Sequence, residues 1–184
     1  MTTKTELALA AIAANPFSKS PSYRVDFDIR RLRNNLDTYH PELLSTDTLK
    51  DMVQKMTPGF QRDNNKWTYP QKQRFIENLI SGCRSEITLY SLAGDASRCY
   101  ILDGLQRLTA VAGFICEDFT IWGGLRFSEI ADPLVFTNGK MSLRIYDFST
   151  EEEAISFYIA MNEGITHSPE DIARARRFLP QAHK

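Results

Sequence analysis

The chain has 184 residues, 42% hydrophobic and 24% charged, which is enough for one real core and too little for two comfortable domains. Its 22 basic and 23 acidic side chains give a net charge of −1, so no overall field draws it to nucleic acid or a membrane surface, and any polyanion contact must come from a local patch. Cys83, Cys99 and Cys116 lack CxxC spacing and His40, His167 and His183 are scattered; this argues against a disulfide framework or zinc site and predicts reduced, buried thiols in a cytoplasmic protein.

Residues 1–22 read as an N-terminal arm and linker. The apolar stretch 7–14 has Lys4 as its single preceding basic residue and is followed by Asn15-Pro16-Phe17, a poor cleavage site, so a helix is expected there and not a signal peptide. No apolar run approaches the length of a transmembrane helix. From residue 23 to 184 one domain is expected. YRVDFD at 23–28 alternates apolar with charged residues, which predicts a strand with one buried face. Helices are predicted over 29–36 and 46–56, then a polar loop, PGFQRDNNKW, over 58–67. A helix with Pro70 in its first turn follows and stops at Gly82. Residues 86–102 are predicted to form a β-hairpin with AGDAS at its turn. After the helix that begins at Gly104, residues 114–136 are irregular, with one short helical turn at FSEI. KMSLRIYDF at 140–148 is a strand, 150–161 a helix with an acidic first turn, and Ser168-Pro169 opens the last helix. Two arginine clusters are candidate polyanion contacts: Arg30, Arg31 and Arg33, and Arg174, Arg176 and Arg177.

One position conflicts with its setting. In YILDGLQRLTAV, residues 100–111, a short strand breaks at Asp103-Gly104 and a helix begins, which puts Arg107 in the early turns, where the helix dipole opposes a cation. Asp103 is a good N-cap and Gln106 stands three residues on, so a capping box with a solvated Arg107 is one reading. An anion site is the other. The helix leaves a strand end through a single glycine, which gives N–H groups and close backbone approach. The residues after it are apolar nearly all round, which marks a buried helix. A second Gln-Arg pair, Gln61-Arg62, lies in the polar loop. A phosphate at the helix start would offset the charge conflict and give two guanidinium groups planar oxygens to hold.

The ordered set of FQR at 60–62, Trp67, a helix, a hairpin, ILDGLQRLTAV, and FYIAMNEGITHSPEDIARAR at 157–176 resembles a family of unknown-function proteins defined by a DGQQR motif. That family lies within the ParB/sulfiredoxin-fold superfamily, and the resemblance spans residues 23–179. It implies an α+β fold, a small mixed sheet flanked by several helices, with a nucleotide phosphate at the motif helix. Related members include GmrS-type restriction NTPase domains, CTP-hydrolysing ParB proteins, and relatives that transfer phosphate or cleave DNA. The short form looks like phage or mobile-element versions. By position, Asp103, Gly104, Gln106 and Arg107 match the motif, Gln61 and Arg62 the upstream element, and Asn162 the later segment. Leu105 stands where the family has a glutamine and Glu163 where it has a glycine, which puts catalysis in doubt more than fold.

The expectation that follows is an NTP-hydrolysing or phosphate-transferring domain acting on or near DNA in restriction, anti-restriction or DNA modification. Asp103, Gln106 and Arg107 would be catalytic, with Gln61, Arg62, Gly104, Arg107 and Asn162 binding nucleotide or phosphate. The nucleotide is undefined, and magnesium is expected to accompany it although no dedicated carboxylate cage is visible. Glu77 and Asp63 are candidate metal neighbours; Trp67 and Phe60 either stack on a base or belong to the core. Two other hypotheses are a non-catalytic module that binds a host or phage protein, and a metal-dependent DNA nickase. Near-neutral charge argues against the nickase.

Overall fold

The alternating YRVDFD stretch forms β1 (Tyr23–Asp28), with Phe27 buried and Arg24 and Asp26 exposed. β1 is an outer strand of a mixed sheet ordered β1-β4-β2-β3, with β2 at Ser85–Leu92, β3 at Tyr100–Asp103 and β4 at Lys140–Phe148. The computed structural model describes residues 3–61, 66–163 and 169–179. β1 is antiparallel to β4, with Tyr23 opposite Ile145 and Asp28 opposite Lys140. β2 and β3 form the expected antiparallel pair, whereas β2 and β4 are parallel, with Ser85 opposite Met141 and Leu92 opposite Phe148. A parallel pair requires a long crossover, and residues 93–139 supply it. That crossover carries β3 and the motif helix.

The period-2 alternation of the strands divides the core. Ile87, Leu89, Ile101, Met141, Leu143 and Ile145 pack with α2 (Leu32–Thr38), α3 (Leu49–Lys55), α4 (Tyr69–Ile80) and α5 (Leu105–Ile115) in a mainly aliphatic cluster. Tyr90, Leu102, Tyr146 and Phe148 belong instead to an aromatic cluster with α6 (Glu151–Asn162) and α7 (Pro169–Arg176). With both faces covered, β4 is buried along most of its length. The architecture is α+β.

Local chemistry sets the helix starts. Thr48 and Asp51 form a capping box on α3, and the Gln71 side chain accepts from the Thr68 N–H (2.7 Å) at the head of α4. The helix expected over 29–36 divides into a 3₁₀ turn, Ile29–Arg31, and then α2. The cause is the Asp28 carboxylate, which accepts from the Arg30 N–H (2.8 Å) and tightens the first turn. The N-terminal helix, α1 (Lys4–Ala14), has no buried residue, and Leu7, Leu9 and Ile12 are each about 60% exposed. Its apolar residues lie all round, so no single face selects a partner.

Cys99 is buried, but Cys116 is half-buried and Cys83 exposed, in the turn after Gly82 that leads into β2. The expectation of three buried thiols therefore holds for Cys99 alone. Among the described residues, no helix is long and apolar enough to cross a membrane.

Candidate functional site

β3 is the last strand of the sheet, and the segment before α4 covers its outer edge. The Ile101 N–H donates to the Met56 carbonyl (2.8 Å), and the Gln61 amide donates to the carbonyls of Ile101 (3.2 Å) and Leu102 (2.6 Å). An uncovered strand edge is a site of unwanted pairing. Gln61, 4% exposed, thus covers the outer edge of β3 at Ile101 and Leu102.

Beyond the end of β3 the chain turns through Gly104, at φ +90°. A Cβ there would lie 2.7 Å from the Ile87 Cδ1 and 3.3 Å from the Glu86 carbonyl oxygen. Only glycine fits both the conformation and the space. Gly104 is also the N-cap of α5, with no side-chain cap. The capping box read from Asp103 and Gln106 does not form: Asp103 is the final residue of β3, opposite Thr88, and the Gln106 Oε1 accepts from the Trp67 N–H (3.2 Å). The left-handed glycine displaces the cap by one residue and swings Gln106 toward the loop.

The charge conflict at Arg107 has a local answer. Its Nη2 donates to the Asp103 Oδ2 at 2.5 Å, and the two side chains are 32% and 30% exposed. The carboxylate just before the N-cap also opposes the positive end of the helix dipole, so Asp103 offsets both charges at once.

These residues line a cavity of about 470 Å³. Gln61, Lys66 and Trp67 reach it from the loop, residues 103–107 from the strand–helix junction, and Met161 and Asn162 from the end of α6. The Asn162 amide donates to the Tyr158 carbonyl (2.7 Å), which pins that wall. Trp67 packs edge-on against Phe75 with centroids 5.2 Å apart, is partly buried against the core, and lines the cavity. Lys66 stands 3.6 Å from Asp171 and is half-exposed.

Of the residues expected at the site, Gln61, Asp103, Gly104, Gln106, Arg107 and Asn162 all meet at this cavity. Arg62 lies outside the described residues, as do Asp63 and Gly164. Phe60 is fully buried against Tyr90 and Tyr158, so it is core and not a base-stacking platform. Glu77 accepts from the Trp122 N–H (2.8 Å) and is not among the residues lining the cavity. Among the described residues no group of three acidic, histidine or cysteine side chains could hold a metal ion. Glu163 pairs with Arg176 at 2.6 Å.

Some members of the arginine clusters are engaged locally: Arg176 pairs with Glu163. Arg30 pairs with Asp28 and lies over the Phe136 ring, and Arg33 donates to the Asp47 carbonyl. Sequence reading missed Lys66 and Met161. Lys66 carried a signal, being a cation directly before Trp67 at the end of a polar loop. Met161 carried none, because a helix-end methionine is usual core.

No family model matches the chain. No curated protein matches it, and neither does any solved structure.

Proposed function

We propose that this chain is a nucleotide-binding domain that hydrolyses an NTP, or transfers its phosphate, on or near DNA. This reading keeps the likeness to the DGQQR-motif family and its ParB/sulfiredoxin-like fold. One observation carries it: a loop, a strand–helix junction and a helix end, up to about a hundred residues apart in sequence, bring six of the motif-matched residues to one cavity. Such a cavity, apolar in part with a few convergent polar groups, is of the size that takes a small ligand.

In this reading Arg107 grips phosphate oxygens, with Arg62 nearby in sequence to Gln61. Gly104 lets a phosphate approach the first turn of α5. Trp67 offers a flat wall to a base. Asp103 positions the attacking water or takes its proton, and Gln106 holds the loop to the helix so that the two walls keep their spacing. A lone carboxylate does not suit a resident metal ion, but it does suit magnesium that arrives already bound to phosphates and keeps most of its waters. Bound there, magnesium would neutralise the developing charge on the phosphates.

The test is phosphate release from each of the four NTPs with magnesium, with and without DNA. Release that falls about a hundredfold or more in Arg107→Ala is expected. A second reading, binding without turnover, draws on Leu105. This buried apolar side chain lines the cavity where the related family has a glutamine amide. Nucleotide binding in calorimetry with no phosphate released would select it. Nicking of DNA without nucleotide would overturn both.

A further inference from the structure

We propose that Asp103 and Arg107 form an electrostatic latch that admits metal-complexed polyphosphates and rejects the same anions without metal. The inference rests on the nucleotide reading above and adds which chemical form of the ligand the site takes.

Arg107 is the expected anion-gripping group, yet its guanidinium is already bonded to the Asp103 carboxylate at 2.5 Å. Its Nη2 lies 3.3 Å from where a Cβ on Gly104 would sit, so the side chain folds back across the glycine onto Asp103. The pair is about 30% exposed at the cavity wall. An ion pair that open contributes little to stability, so folding gives no strong reason for it. Its consequence for binding is large. A bare phosphate reaching Arg107 would meet the Asp103 carboxylate at close range in a partly desolvated cavity, where like charges repel strongly.

The two partners differ in freedom. Asp103 is fixed by its place in β3, opposite Thr88. Arg107 sits on a long flexible stem in the first turn of α5. Asp103, the fixed partner, could ligate a magnesium ion carried by the ligand, since magnesium is held through one or two carboxylates with phosphates and water completing its shell. Asp103 would hold the metal arriving with the phosphates in place of the guanidinium, and Arg107 would then be free to bond the phosphate oxygens. Lys66, half-exposed on the same cavity and 3.6 Å from Asp171, places a second cation within reach of the phosphates.

The experiment is calorimetry on the full chain with ATP, GTP, CTP and UTP, each with magnesium and each with excess EDTA. The wild-type protein is expected to bind at least one with magnesium and to lose about tenfold or more in affinity with EDTA. Asp103→Asn removes the competing charge and keeps the shape. Its affinity in EDTA is expected to exceed that of wild type by about fivefold or more, and its dependence on magnesium to be largely lost. Binding of manganese in place of magnesium, followed by the relaxation of solvent water, should appear in wild type only with nucleotide and weaken in Asp103→Asn. Equal wild-type affinity with and without metal overturns the latch and leaves the nucleotide reading standing. Retention of full metal dependence in a folded Asp103→Asn protein does the same. Silence of the wild-type protein toward all four nucleotides in both conditions overturns the nucleotide reading and the latch with it.

Discussion

The two ends of the four-residue strand β3 treat polar groups in opposite ways. At its start, the His40 ring meets Tyr100 edge-on with centroids 5.3 Å apart, is 2% exposed, and has no hydrogen-bond partner at either nitrogen. Cys99 beside it is buried, its thiol pushed up to about 12 chiefly by desolvation. At its other end, Asp103 and Arg107 are paired, partly exposed and set over a cavity. A polar group buried alone is held in its neutral form, and the folded state becomes sensitive to anything that charges it. In the proposed reading, a polar pair left at a cavity wall exchanges one partner for a ligand. The same strand thus carries a stability liability at one end and, in the proposed function, a ligand site at the other.

The contrast is broken most severely at Gly104. Gly104→Ala forces a side chain into left-handed backbone and onto Ile87, which should cost about 2–4 kcal/mol and lower Tm by roughly 5–10 °C. Adding Ile87→Val removes the Cδ1 atom that the new Cβ meets at 2.7 Å. The double variant should therefore recover about 1 kcal/mol relative to Gly104→Ala, whereas Ile87→Val alone should cost about that much. A thermal melt of the four proteins checks both signs. If Gly104→Ala melts with wild type, the junction is looser than its geometry says, and the fixed position of Asp103 goes with it.

The next effect belongs to the other end. Desolvation lowers the His40 pKa; Glu42 nearby raises it, while Arg98 and Lys55 lower it further. The folded pKa therefore lies below the unfolded value near 6.5, and the unfolded chain binds more protons as pH falls. Stability should be full above about pH 6.5 and decline below it, by at most about 1.4 kcal/mol per pH unit from this group. Replacing a buried unpartnered polar group with an apolar one of similar shape is close to neutral at pH 7. His40→Leu should accordingly match wild type at neutral pH and flatten the decline between pH 6.5 and 5, read from urea midpoints. Parallel acid limbs in the two proteins would assign the acid sensitivity elsewhere.

Much of the scaffold was legible in the sequence because its signals are local. Alternation defined β1 and β4, and Pro70 and Gly82 marked the ends of α4. The break at Asp103-Gly104 located the strand–helix junction. Motif order was enough to gather Gln61, Asp103, Gly104, Gln106, Arg107 and Asn162 as one group. What escaped was non-local or depended on one torsion angle. The parallel pairing of β2 with β4 joins segments about fifty residues apart, and no local pattern distinguishes it from a second hairpin. The positive φ of Gly104 moved the cap from Asp103 to Gly104, which turned a capping aspartate into the partner of Arg107. The expectation of a buried thiol at Cys83 had no local support, since its neighbours Gly82, Arg84 and Ser85 are not apolar, and it is exposed just past the helix-ending glycine.

The smallest expected effect on stability is at the residue that posed the original charge conflict. Arg107→Ala removes an ion pair about 30% exposed, and such pairs contribute between nothing and about 1 kcal/mol. It also removes a cation from the positive end of α5, which favours the helix by a few tenths of a kcal/mol. The two terms oppose, so the melting temperature should move by less than about 3 °C in either direction. A loss comparable to that of Gly104→Ala would mean that Arg107 holds the junction together, and the open end of β3 would then be as structural as the sealed one. A stable Arg107→Ala protein that has lost nucleotide affinity would separate binding from folding at this position. The contrast between the ends of β3 would then come down to which charges the fold itself requires.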